Sequence, residues 1–171
     1  MKPSLWHRLD ALARRLTPFA LTLVLVVVSV VPLHIPGFAR VAPLLPLIAV
    51  YHWAIYRPRL LPAFAVFVIG LLQDTLTGTP IGVNALVFIG VYGVVLSQRR
   101  FFVGKSFTVV WLGFTVVAAG AALSSWILVS VYHLTLVAPR AVLFQYLMTL
   151  GVFPLLAWVF LRWQRAFLES E

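Results

Sequence analysis

One carboxylate, Asp74, is the only acidic side chain between Asp10 and Glu169, and it lies between two long apolar runs. Gln73 precedes it and Asn84 follows, across the turn Thr77-Gly78-Thr79-Pro80-Ile81-Gly82. An ionisable group in such surroundings is costly unless it is partnered, so it is a functional hypothesis by default. Three polar side chains around one turn could bind a polar ligand, pair a cation or lock a helix junction. The plainer reading is a capped helix end whose Asp and Gln satisfy loop backbone groups and water.

Local chemistry gives the stretch a shape. Leu60 to about Gln73 is an apolar helical run, Thr77-Gly78-Thr79 reads as a turn, and Pro80 suits the first position of a second helix. Thr79 is then the expected N-cap, its hydroxyl accepting from a first-turn N–H. Ala63, Phe67, Gly70 and Asp74 follow one another at helical spacing, so the carboxylate extends a stripe with small members. Burying it unpaired would cost several kcal/mol. Asp74 is therefore expected to be ionised and paired with loop N–H groups or with Arg140.

The elements that must position this hairpin belong in a bilayer. Hydrophobic residues make up 63% of the chain and charged residues 10%, which excludes an ordinary soluble domain. The formal charge is +9, but the cations lie in short clusters between apolar runs and form no continuous basic face for nucleic acid. There is no cysteine, so disulfides and thiol chemistry are excluded.

Residues 1–17 place Leu5, Leu9, Leu12 and Leu16 on one line with Arg8, Arg14 and Arg15 off it, an amphipathic segment suited to an anionic membrane surface or, less well, a partner's helix. Six apolar runs of bilayer type follow, over about 18–35, 41–56, 60–76, 80–97, 106–132 and 140–161. The second is the weakest, with Pro43 and Pro46 at its start. The expected organisation is a 1–17 cytoplasmic segment, an 18–161 all-α domain of six transmembrane helices and a 162–171 cytoplasmic tail.

Both termini on the cytoplasmic side puts eleven of the Lys and Arg residues inside and leaves only Arg40 and Arg140 outside. The Asp74 hairpin then faces outward. Small residues mark candidate helix contacts at Gly70, Gly90, Gly93, Gly113 and Gly120. Gly82, Leu86, Gly90, Gly93 and Ser97 line one stripe of the fourth run. The Ala118–Ala122 segment, small nearly all round, suggests a helix enclosed by others.

Nothing points to catalysis. His7, His34, His52 and His133 show no metal spacing, and there is no Ser/His/Asp grouping, phosphate-cradling loop or paired carboxylate. No cofactor or metal is expected. A solute-binding membrane subunit of a transporter is the serious alternative, with Gln73, Asp74 and Asn84 as ligand contacts and Arg140 as counter-charge.

The run Gly70-Leu-Leu-Gln-Asp-Thr-Leu-Thr-Gly-Thr-Pro-Ile-Gly-Val-Asn-Ala-Leu, with the preceding Tyr56-Arg57-Pro58, resembles the signature of the MreD family of bacterial rod-shape-determining membrane proteins. The resemblance carries Gln73, Asp74, Gly78, Pro80, Gly82 and Asn84 over as the motif, without a catalytic role. It implies a non-enzymatic inner-membrane subunit of the cell-wall elongation machinery that scaffolds an MreC-like single-span partner. Indirect partners would be MreB-like filaments, a RodA-like glycosyltransferase and a penicillin-binding transpeptidase. By analogy it also implies a fold similar to the substrate-binding subunit of energy-coupling-factor transporters.

Overall fold

The computed structural model of the chain describes residues 5–31 and 41–167. Lys2, His34, Arg40, the end of the expected first span and the tail from residue 168 lie outside the described residues. Six helices account for most of the rest: α1 (Leu5–Val30), α2 (Leu45–Tyr56), α3 (Ala63–Thr77), α4 (Val83–Phe102), α5 (Phe107–His133) and α6 (Pro139–Phe167). No strand occurs among the described residues.

α1, α4, α5 and α6 are long and apolar enough to cross a membrane, by length and composition. α2 and α3 are apolar but have only 12 and 15 residues. At 1.5 Å per residue they extend about 18 and 22 Å, less than the roughly 30 Å of a hydrocarbon core.

α2 is the centre of the bundle. Every residue from Leu45 to Ile55 is buried, as befits a helix that is apolar on all sides. α1, α4 and α6 pack around it, α3 packs most extensively on α4, and α5 lies against α4 and α6. Tyr51 sits fully buried among Phe102, Phe114 and Phe153, and Phe114 stacks on Phe153 at 4.3 Å. Its hydroxyl donates to the Val110 carbonyl at 2.8 Å, which lets a polar tip be buried without loss. Gly113 lies directly against this cluster. A methyl group there would run into the Phe102 ring and stand 2.8 Å from the Tyr51 hydroxyl.

The expected second helix is shorter than its apolar run. Residues 41–44 are not helical, and Pro46 sits in the first turn of α2. Non-helical backbone inside a membrane protein persists only where protein groups satisfy it. α6 provides them: Gln145 Nε2 donates to the Ala42 carbonyl at 3.0 Å, and Thr149 Oγ1 accepts from the Leu44 N–H at 2.9 Å.

The other end of α2 is held by α4. Arg99 Nε donates to the Ile55 carbonyl at 2.6 Å, placing a cation at a helix C-terminus, where the macrodipole favours it. Tyr92 adds a hydrogen bond to the Pro58 carbonyl. His52 of α2 lies 5.1 Å from Phe160 of α6, so the C-terminal half of α6 reaches this same end.

Helical structure runs across two of the expected segment ends. No break separates an amphipathic segment from a first span, because α1 runs through Pro18 from Leu5 to Val30. Helical structure also continues past residue 161, with α6 ending at Phe167.

Candidate functional site: a helix hairpin capped across its turn

α3 ends on Gly78, whose φ of 70° is the left-handed conformation that glycine adopts without penalty. α4 begins only at Val83, after a second left-handed glycine, Gly82, at φ 102°. This corrects the expected cap. Pro80 is not the first helical residue, and Thr79 is not the N-cap. The N-cap is Gly82, which has no side chain to accept from the first-turn N–H groups.

Asp74, from the last turn of α3, takes over that role. Its Oδ2 accepts from the Gly82 N–H at 2.9 Å and, more weakly, from the Ala85 N–H at 3.4 Å. Its Oδ1 accepts from the Asn84 backbone N–H and from Asn84 Nδ2, both at 2.9 Å, and from the Thr79 hydroxyl at 2.8 Å. The carboxylate is completely buried. Five donors converge on an acceptor-only group, and three of them are backbone N–H groups that the start of a helix leaves without intrahelical partners. A negative group at this position also complements the α4 dipole.

The expected loop N–H partners of Asp74 are thus present. Arg140 is not among them: it is exposed at the start of α6, and among the described residues no ion pair reaches Asp74. Thr79 donates to Asp74 instead of capping α4, and Asn84 Nδ2 makes a second contact to Thr79 Oγ1 at 3.3 Å.

Backbone proximity supports this geometry. At Gly70, one turn before Asp74, a Cβ would stand 2.7 Å from the Ala85 nitrogen and closer still to Ala85 Cα. Only a glycine allows α3 to approach the start of α4 closely enough for the carboxylate to reach its N–H groups. Gln73 faces another way. Its Oε1 accepts from Ser29 of α1 at 3.3 Å, and its carbonyl accepts from Thr77 at 2.7 Å.

The remaining expected contact glycines divide. Gly113 is tightly packed, as described above. Gly90, Gly93 and Gly120 meet nothing within 4 Å, so the contacts expected of them are not made within this chain. Leu86 and Ser97 of the α4 stripe are exposed as well. The Ala118–Ala122 segment is not enclosed on all sides: Ala118 and Ala121 are buried, Ala119 and Gly120 exposed.

The small residues of α5 leave room for a cleft beside the hairpin. It is lined by Ala118, Ala121, Ala122 and Ser125 of α5, by Val142, Gln145, Tyr146 and Thr149 of α6, by Leu44 and Leu47, and by Asn84. Asn84 is the one motif residue that reaches it, and the lining carries no charged side chain.

Chemically, the hairpin is saturated. The lone pairs of Asp74 are occupied by fixed donors, leaving little capacity to take a proton from a substrate or to ligate a cation. No group of three His, Asp or Glu side chains suited to a metal occurs among the described residues.

The family model described as rod shape-determining protein MreD matches residues 10–170. An uncharacterized protein, RP566, of Rickettsia prowazekii (strain Madrid E) is 26% identical over 113 residues, which cover 66% of this chain and 64% of that protein. The aligned part thus falls short of two thirds of that relative. No solved structure matches this chain, and the likeness to an energy-coupling-factor subunit stays an expectation from analogy.

Proposed function

Because the chain belongs to the MreD family of rod shape-determining proteins, we propose that it is a non-catalytic, multi-pass scaffold of the bacterial inner membrane that supports rod shape by seating an MreC-like single-span partner. The family is one of structural shape-determining proteins, and the helices fit a membrane protein. In this reading all six helices traverse the membrane region with both termini cytoplasmic, the short α2 and α3 being completed by their flanks.

The observation that carries the reading is the saturation of Asp74. The only acidic side chain of the apolar region is spent on fixing the α3–α4 junction. A rigid hairpin holds α4 in place while the stripe of Leu86, Gly90, Gly93 and Ser97 stays open to a neighbour. Small residues on a lipid-facing helix permit close backbone approach by a partner helix. Wall-synthesis enzymes and MreB-like filaments would join through that partner.

The cleft beside Asn84 supports a second reading, a solute-binding subunit, since Ser125, Gln145 and Thr149 could orient a small polar molecule. Affinity purification from native membranes in mild detergent, with mass spectrometry of proteins and small molecules, separates the two. Recovery of an MreC-like single-span protein supports the scaffold. Recovery of a stoichiometric solute without such a protein supports the second reading and overturns the first.

A further inference from the structure

The N-terminal part of α1 is mostly exposed. The buried face of this helix is made by Pro18, Thr22, Val26 and Ser29. From Leu5 to Thr17, by contrast, every residue is exposed except the half-buried Arg14 and Thr17. The contact between Ser29 and Gln73 sets α1 in register with α3. Counting back from it, Pro18 falls close to the level where α3 begins. Residues 5–17 therefore project beyond the bundle as an arm about 20 Å long, at 1.5 Å per residue.

The arm has two unlike faces. Leu5, Leu9, Leu12 and Leu16 form a line at helical spacing, each more than half exposed. Arg8 and Arg15 lie to one side of it, and Asp10 is paired with Arg14 at 3.3 Å. Four leucines in line need an apolar cover. The arm leaves the bundle at the end where Arg57, Arg59, Arg99, Arg100 and Lys105 gather, with Arg162 and Arg165 at the end of α6. Such a basic rim is suited to the anionic headgroups of one leaflet.

We propose that residues 5–17 dock on the anionic lipid surface at this end, the leucine line entering the boundary between headgroups and acyl chains and Arg8 and Arg15 meeting lipid phosphates. Charge selects the surface, and the leucines supply the binding area. α1 is one unbroken helix through Pro18, and laying the arm along the surface requires a bend between it and the rest of α1. Pro18, at its base, has no N–H to donate to the helical ladder and is where such a bend costs least.

The chain has no cysteine, so one introduced thiol carries one label. Leu9→Cys and Ala11→Cys place a spin label on the leucine line and on the opposite side of the arm. The purified full-length protein is reconstituted in nanodiscs of phosphatidylcholine, with or without 30% phosphatidylglycerol. Accessibility to oxygen and to a nickel chelate is then read for each label. The expected result is a Leu9 label several-fold more accessible to oxygen than to nickel in the anionic discs, with the Ala11 label the reverse. That protection should fall several-fold in neutral discs, and also in anionic discs when Arg8 and Arg15 are both changed to Gln. A Leu9 label open to nickel in both lipid compositions would overturn the proposal. So would protection that arises only in native membranes, which would assign the face to a partner protein. Protection accompanied by spin–spin broadening would assign it to a second copy, with the same consequence.

Discussion

Asp74 and Asn84, one at the end of α3 and the other in the first turn of α4, share two hydrogen bonds of 2.9 Å, from the Asn84 backbone N–H and from its side-chain amide. The same carboxylate also collects the Gly82 and Ala85 N–H groups and the Thr79 hydroxyl. The start of α4 is therefore capped by a residue of the preceding helix, across the turn. That relationship makes the hairpin one rigid unit.

Asp74→Ala leaves several buried donors without an acceptor, at about 1–3 kcal/mol for each left unsatisfied. Folded yield in detergent should fall sharply. Asp74→Asn should do little better, because its NH2 group would point at donors where the carboxylate offers an oxygen. Size-exclusion profiles after graded heating check both, and an Asn variant as heat-resistant as the wild type would contradict the acceptor-only role.

Gly70→Ala should destabilise the protein by about 1–3 kcal/mol, the range for overpacking a filled contact, since its methyl group would press on the Ala85 backbone. Gly78→Ala has open space around it, and its cost should be the smaller one of a left-handed non-glycine residue, about 1 kcal/mol. Thermal unfolding of the two variants side by side tests the ordering.

Gly90→Leu and Gly93→Leu should leave folding intact, as both sites are exposed and a Cβ at either would meet nothing within 4 Å. In the scaffold reading they should nevertheless reduce recovery of the single-span partner several-fold. Unchanged partner recovery at wild-type expression would remove α4 as the seat.

Arg99→Ala should loosen the basic end of the bundle by about 1–2 kcal/mol, through loss of a charge-assisted bond to a helix C-terminus. Arg99→Lys keeps the charge but lacks the Nε–H, and should fall in between. Hydrogen exchange at the amides of Arg57 and Leu60 reports the change locally.

The residues that needed partners were legible in the sequence; their partners were less so. An isolated carboxylate among apolar runs has to find donors, so Asp74 stood out, and loop N–H groups were the natural source. Local capping rules favoured Thr79 because they look one to three residues ahead. The actual cap arrives from eight residues before the N-cap glycine, and only the close approach at Gly70 makes it possible. The six helical runs followed from hydropathy, but the length of α2 did not. Its non-helical lead-in is satisfied by Gln145 and Thr149, more than a hundred residues away. Nor did spacing distinguish packed Gly113 from open Gly90, Gly93 and Gly120, because a small residue reads the same whether it meets a ring, a cleft or lipid.

Cell shape tests the central claim most directly. The chromosomal gene is deleted in its native host, and cell outlines are imaged with the wild type, with Asp74→Ala, or with no copy supplied in trans. The scaffold account predicts rods with the wild type, rounded cells without a copy, and rounded or widened cells with Asp74→Ala. Rods of unchanged width in the deletion strain would contradict it.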